Sequence, residues 1–573
     1  MSYRIEPTSS GHPTLVADGL YLHNRVDPAH EARRWASAQR ERLDAEPGAT
    51  AVVLGLGLGY HVEALAEGFS GRIVVVEPDA EVVAVARRAR DLERLLARVE
   101  LAPVPLAPEA VDAWGSIVLC VHGPSVLRGG AAMAAVQERI VGRAVLRDLR
   151  LNILVVSPLG GGSHPITGYC ARALADLGHA VTVLDLAPFA GGLAAIPSFS
   201  PRKGARATVE HAFTQFLGAG ILAAVEAAEP DLVLAMAQAP LQPEVLTVIG
   251  ARGAVRAFWF VEDHRLFPYW KDVVGAYDYF FAIQEGAFLE EAKRLSPGLA
   301  AYLPLAADPA VHRPLRLEPG ELTELGAPVG FVGAGYRNRR IAFRPLLDLG
   351  LRIWGTEWSG AGPVEAAVQR AGARISTEDC VRIFNATDVN VNLHSSTYVD
   401  GVDPRGDFVN PRTFELAAAG AFQLVDTRTL LSRHFRPGEE VATFDDAAQL
   451  RDLAAYWLAH PDARRQIAAA GRARVLAEHT YHHRMLALLE TMAARELARW
   501  KTRRRHETAA DVARVDPASP LGRLCAQLPE HTPFTLAGVS QALLHREGDF
   551  SEAEAIMLFL HQFDEMYVRS ARP

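Results

Sequence analysis

The chain has 573 residues, 49% of them hydrophobic and 22% charged, and a formal net charge of −8. That is too long for one hydrophobic core, so three or four domains are expected. The mild acidity, with no basic stripe interleaved with aromatics, argues against nucleic acid as a partner. No apolar run is long enough to span a bilayer, and Met1 to Pro7 lacks the basic-then-apolar layout of a secretory signal, so a cytoplasmic protein is expected. Cys120, Cys170, Cys380 and Cys525 lie far apart with no C-x-x-C spacing, which reads as buried thiols rather than a zinc knuckle or a disulfide framework.

Residues 1–148 read as a first α/β domain. Ala51 to Leu54 predicts a buried strand running into Gly55-Leu56-Gly57-Leu58-Gly59-Tyr60. A helix over His61 to Glu67 follows, then a second strand, Arg72 to Val76, ending at Glu77-Pro78-Asp79. The alternating glycines let the backbone approach a ligand, and Glu77 is placed to accept from ribose hydroxyls. The unit thus resembles the nucleoside end of an S-adenosylmethionine-binding domain, although Val53 stands where many methyltransferases carry an acid. The same glycines also serve tight strand–helix packing in Rossmann domains that bind nothing. The stretch Gly55 to His61 is similar as well to N-terminal modules of bacterial motility-associated and pterin-pyrophosphokinase-like families.

A charged helix, Ala131 to Arg150, leads into a second domain, residues 149–325. It opens with a strand, Leu151 to Ser157, a loop holding Gly160, Gly161 and Gly162, a helix, Ile166 to Leu177, and a strand, Ala180 to Asp185. This opening resembles the acceptor-side domain of GT-B glycosyltransferases, which have two facing Rossmann-like domains. The resemblance implies that the N–H groups of Gly161 and Gly162 approach the donor phosphates or the acceptor. His164, at the end of the loop, is either a contact to the donor, a base for the acceptor, or a turn residue. Two buried parallel strands follow, Asp231 to Met236 and Ala254 to Phe260, and the second ends in Glu262-Asp263-His264. Ligands of open α/β sheets gather at the carboxyl ends of strands; Asp263 is therefore the candidate base, its neighbours serving as caps.

Residues 326–500 form the predicted third domain. A strand ends in Phe331-Val332-Gly333 and releases a loop with Arg337, Arg339 and Arg340. Guanidinium groups grip a diphosphate bidentately and stabilise it as a leaving group without metal. Arg339 and Arg340 point in different directions on a helix, so Arg337 or Arg340 is expected to reach phosphate. After the strand Asp388 to His394 comes a long loop, Asp400 to Asn410. Asn410 is placed to cap a helix with Pro411 in its first turn, and Gly420 to end it. The helix start at Asn410, Pro411, Arg412 and Thr413 favours a phosphate, and Asp407 and Glu415 flank it with acceptors for sugar hydroxyls. Such a helix is also ordinary scaffolding when it stands alone.

Two likenesses bear on this domain. Asp407 and Glu415, with seven residues between them, resemble the acidic pair of retaining GT-B enzymes, with the first carboxylate one methylene shorter. Tyr277 to Gln284, Tyr302 to Asp308, Phe331 to Arg340 and Arg352 to Gly355 resemble the spore-maturation-protein-like (CgeB) glycosyltransferases, over about residues 150–495. The resemblance implies that Asp407 contacts the donor sugar and Glu415 the nucleotide ribose, with a lean toward retention of configuration. No D-x-D occurs, so no donor-site metal is expected. His479 and His483, spaced i, i+4 without a carboxylate, make a poor metal pair.

Residues 501–573 begin with a charge run, Lys501 to His506, and alternate short helices with prolines: an appended helical module or a dimer contact. The expectation is therefore an α/β chain with two facing Rossmann-like domains (GT-B), preceded by an additional Rossmann-like domain and followed by a small helical tail. Its expected activity is metal-independent sugar transfer from a nucleoside-diphosphate sugar to a protein, lipid or glycan acceptor. The alternatives are a methyltransferase or bifunctional enzyme using S-adenosylmethionine in the first domain, and a scaffold without chemistry.

Overall fold

The computed structural model describes residues 3–563 other than 105, 107, 148, 398, 404, 503–507, 516, 545 and 547; the run Arg503 to His506 lies outside the described residues. Four sheets carry the fold, three of them parallel. The first is an antiparallel meander of β1 (Tyr3–Pro7), β2 (Pro13–Ala17) and β3 (Leu20–Tyr21), which the sequence reading did not anticipate. The second has the order β6-β5-β4-β7, from β4 (Thr50–Leu54), β5 (Ile73–Val76), β6 (Glu100–Leu101) and β7 (Ile117–Val121).

The third sheet, β13-β12-β11-β10-β8-β9, comprises β8 (Asn152–Val156), β9 (Ala180–Leu184), β10 (Leu232–Met236), β11 (Val255–Phe260), β12 (Tyr279–Ala282) and β13 (Leu299–Tyr302). The fourth, β15-β14-β16-β17-β18, comprises β14 (Ala327–Val332), β15 (Leu351–Trp354), β16 (Thr387–Asn392), β17 (Gln423–Asp426) and β18 (Ala442–Phe444). The central strands are apolar almost throughout because helices cover both faces: every residue of β4, β5, β10 and β12 is buried.

Each parallel sheet has one place where the strand order reverses. The chain leaves β4 for β5 on one side and later returns with β7 on the other; β8 is flanked in the same way by β9 and β10, and β14 by β15 and β16. Loops leaving the carboxyl ends of such a pair diverge to opposite faces and open a crevice between them. The three crevices lie beside Gly55–Gly59, beside Pro158–Gly162 and beside Gly333–Arg337.

Two compact units divide the chain, residues 1–497 and 498–573, the cut falling inside the helix Tyr481–Thr502. Within the first unit, the start of that helix returns to the third sheet, where Arg484 Nε donates to the carbonyls of Pro304 (2.8 Å) and Leu305 (3.1 Å). Tyr279 Oη donates to Glu496 further along it. The second unit packs short helices around Ala509, Leu524, Cys525, Leu528, Val539 and Leu543. Among the four cysteines Cys380 is half-buried and the others are buried; all are free thiols.

Candidate active site between the third and fourth sheets

The helix Pro411–Ala418 begins as its sequence requires. Asn410, in extended backbone, accepts the Thr413 N–H on Oδ1 at 3.0 Å, and Pro411 occupies the first helical position, where a missing N–H costs nothing. Beneath the cap lies a buried polar lattice. Asn392 Nδ2 donates to Thr413 Oγ1 (2.9 Å) and Gln423 Oε1 (3.2 Å), and Asn410 Nδ2 returns a bond to Asn392 Oδ1. The Asn410 N–H donates to His394 Nε2 at 2.9 Å. The opposite nitrogen, Nδ1, must therefore carry the proton and gives it to Asp426 Oδ1 at 2.6 Å.

Burial holds His394 below its usual pKa and so neutral. Burial pushes Asp426 up, but His394 and Arg428 more than offset that and keep it ionised. Arg428 in turn donates to the Phe408 carbonyl, and its guanidinium fills the space a side chain at Gly406 would need. The loop ahead of the helix is thereby anchored at Gly406, Phe408 and Asn410, with Asp407 between the anchors facing the other sheet. Of the N–H donors over residues 411–413, Pro411 has none and Asn410 takes that of Thr413, so the expected phosphate donor reduces to the Arg412 N–H.

Asp407 is held across the cleft. Its Oδ1 accepts from Gln284 Nε2 at 2.8 Å and from Arg265 Nη1 at 3.1 Å, both beyond the carboxyl edge of the third sheet. Gln284 is fully buried. Its other amide hydrogen reaches Asp263 Oδ1 at 3.2 Å, and its Oε1 accepts the His264 N–H. Two of the carboxylates singled out in the sequence, Asp407 and Asp263, thus meet through one amide. Asp263 Oδ2 is buried without a hydrogen-bond partner among the described residues.

Glu415 lies one helical turn inward. Its Oε2 accepts from Arg412 Nη1 at 2.9 Å, and its Oε1 is 3.8 Å from His312 Nε2. His312 Nδ1 accepts the Asp308 N–H, so its proton sits on the nitrogen facing Glu415; burial lowers its pKa against the pull of that carboxylate.

The arginine cluster divides by role. Arg339 is buried against the rings of Phe331 and Tyr336 and donates to the Leu393 and Ala334 carbonyls; desolvation pulls its pKa down to about 10. With Asn338, which donates to the His394 and Gly401 carbonyls, it laces the loop after β14 to the loop after β16. Arg340 donates to the Gly335, Ser359 and Glu357 carbonyls. Arg337 is exposed and pairs with Asp400 at 2.6 Å. Gly333 takes a φ of +158° beside the ring of Phe331.

On the opposite wall, the Gly161 carbonyl accepts from Arg374 of the fourth-sheet half at 2.9 Å, and open space surrounds Gly160 and Gly162. His164 Nε2 sits 2.9 Å from Asp185 Oδ1 at the end of β9. Beside this loop Glu262, its pKa raised by burial, takes a 2.7 Å bond from Tyr269 Oη and another from Gln238.

The first crevice is different. Leu56 N–H donates to Glu77 Oε2 (2.9 Å), Asp79 N–H to Glu77 Oε1 (3.2 Å) and Leu58 N–H to His23 Nε2 (2.7 Å). A Cβ at Gly55 would overlap Ser125, and one at Gly57 would lie 2.5 Å from His23 Nε2. The loop donors and the acid offered to an S-adenosylmethionine ribose thus satisfy the protein itself, and side chains fill the space beside them. These residues do not fit that cofactor.

Among the described residues one group has the composition of a metal site, His23, His61 and His122, with nitrogens within 4.8 Å of one another. Its geometry does not converge. His61 and His122 stack at 3.8 Å with planes 4° apart, so their in-plane lone pairs run parallel, and His23 Nε2 already accepts the Leu58 N–H.

Gln284, Arg265, His312 and the His394–Asp426 pair were missed by sequence reading. Gln284 comes two residues after the end of β12, where the strand-end rule that flagged Asp263 would also have flagged it. Two facing Rossmann-like sheets, a capped helix start and a carboxylate held across the cleft between them define the class of fold, GT-B.

Comparison with known proteins gives likenesses over parts of the chain. Residues 337–490 match the glycosyl transferase-like family. The spore protein CgeB of Bacillus subtilis (strain 168) is 25% identical over 271 residues, covering 45% of this chain and 81% of that protein, so the likeness to CgeB drawn from the sequence is borne out. Among solved structures, a sucrose-phosphate synthase (tll1590) from Thermosynechococcus elongatus superimposes with a TM-score of 0.42 at 14% identity, covering 60% of this chain and 99% of the other. Anabaena Alr3699/HepE in complex with UDP-glucose gives 0.40 at 14% identity, covering 61% and 100%. No helix among the described residues is long and apolar enough to cross a membrane.

Proposed function

We propose that this chain transfers a sugar from a nucleoside-diphosphate sugar to an acceptor hydroxyl without a metal ion. The observation that carries the reading is the placement of Asp407: eight positions ahead of Glu415 on the fourth-sheet side, yet bonded to Gln284 and Arg265 of the third. In this reading Asp407 contacts the donor sugar and Glu415 the nucleotide ribose. The Arg412 N–H and Arg337, released from Asp400, take the diphosphate. Arg337 is chosen over Arg340 because it has one exposed partner where Arg340 holds three carbonyls. Positive charge at the diphosphate stabilises the departing group as the anomeric centre gains oxocarbenium character. The acceptor enters beside Gly160 to His164, with Asp263 as candidate base, and the acidic pair leans toward retention.

Thermal shift with UDP, GDP, TDP and S-adenosylhomocysteine tests this. At one hundred times its Kd a nucleoside diphosphate adds about 2.7 kcal/mol of stability, enough for a shift of several degrees. Glu415→Ala removes that shift and Glu77→Ala retains it. Stabilisation by S-adenosylhomocysteine alone, or an equal response of both variants, refutes the assignment.

A further inference from the structure

We propose that the crevice of the third sheet is an acceptor site for a hydroxyl-bearing amphiphile, a molecule with a polar head and an extended apolar body; this rests on the transferase reading above and names its acceptor class. The cavity lies where β8 and β10 diverge, is open to solvent, offers about 400 Å³ and is lined by Leu159, Gly160, Ala190, Leu193, Ala194 and Gln238. That volume suits a drug-sized body, and sites of this kind combine apolar walls with a few fixed polar groups. Here the single polar liner is Gln238.

Gln238 is held in place. Its backbone takes a φ of +65°, unfavourable for any residue with a Cβ, and is secured by its N–H on Tyr269 Oη (3.0 Å) while its amide donates to Glu262. One fixed amide can orient a hydroxyl. It cannot satisfy the many hydroxyls of a glycan, and no charged side chain lines the cavity to meet a charged peptide.

The apolar character continues outward. The helix Ala190–Phe199 reads AGGLAAIPSF, yet only Ile196 of it is buried. Leu193 is 40% exposed, and Phe189, just ahead of the helix, pairs at 5.8 Å with the exposed ring of Phe216 on the neighbouring helix, Lys203–Ala228. A helix apolar all round is ordinarily buried; this one instead walls a cavity beside the loop whose Gly161 carbonyl meets Arg374 of the other half. An apolar tail laid along Leu193 and Phe189 would leave its head group at the cleft.

The test uses the full chain and n-alkyl β-D-glucosides of four to eight carbons, below their critical micelle concentrations, titrated by calorimetry. Affinity is expected to rise about fourfold per added methylene while the cavity fills. Leu193→Asp and Ala194→Glu, both at exposed positions, are expected to weaken octyl glucoside at least tenfold while retaining the UDP thermal shift. Phe559→Asp, an exposed apolar position in the tail, is the control and should change nothing. Affinity independent of chain length, wild-type binding by both cavity variants, or sugar transfer confined to peptide acceptors overturns the proposal. Chain-length-dependent binding that both variants abolish, in a protein that no nucleoside diphosphate stabilises, refutes the transferase reading and leaves the apolar site standing.

Discussion

The glycine loop after β4 and the glycine loop after β8 occupy equivalent places in their sheets, and each opens onto a crevice between diverging strands. In the first, Ser125, His23, His61 and His122 fill the opening, and the Leu56 and Leu58 amides turn inward to Glu77 and His23. In the second, open space surrounds Gly160 and Gly162, a cavity adjoins them, and the loop reaches across to Arg374. Glycine in such a turn marks that something comes close to the backbone. Whether that is the chain's own side chains or a ligand depends on what the return strand delivers: β7 brings His122 and Ser125, whereas β10 brings Gln238 and a gap.

The sharpest way to break this contrast is pH. His23, His61 and His122 are buried and held neutral, all with pKa values lowered by burial, His61 to about 4. Groups depressed in the folded state contribute stability that is present above the unfolded value of about 6.5 and lost as pH falls toward the folded one. Between pH 7 and pH 5 each histidine should cost about 2 kcal/mol, roughly 6 kcal/mol for the three together. Urea unfolding at the two pH values measures this, and His61→Gln should lessen the loss by about 2 kcal/mol. A pH-independent midpoint would show that the crevice is not filled by neutral imidazoles.

Next in size is a pair of alanine substitutions. Gly55→Ala combines a φ of +92° with overlap on Ser125 and should destabilise by about 3 kcal/mol. Gly162→Ala, with nothing within 4 Å of the new carbon, should stay within about 0.5 kcal/mol of the parent. Equal losses would erase the distinction between filled and open. The smallest effect belongs to Glu77→Gln. Its two oxygens each accept a different N–H, so an amide must turn its own NH₂ toward one of them, at a cost of about 2 kcal/mol and with no change in the UDP thermal shift.

The sequence displayed the sheets and turns well, because fully buried parallel strands such as Leu232–Met236 and capped helices such as Pro411–Ala418 carry local signals. The meander of β1 to β3 was not legible, since its first strand is largely exposed and its third is two residues long. At the site, Asp407, Glu415, Asp263 and the glycine loop were visible as residue types at strand and helix ends. Their connection was not, because Gln284 is 123 residues from Asp407 in sequence and nothing local to either residue says that they meet. The arginines show the same limit. Three neighbours look alike in one dimension, and only packing separates buried Arg339 from exposed Arg337.

Gln284 has one further consequence. Its two amide hydrogens go to carboxylates on opposite walls and its oxygen to the His264 backbone, so each of its polar atoms is engaged and the amide cannot flip without losing a bond. The spacing between the carboxyl edges of the two sheets is therefore gauged by the width of a single amide group. Asp407 meets that amide through Oδ1 alone, so a molecule can bond its Oδ2 while the amide still spans the two walls.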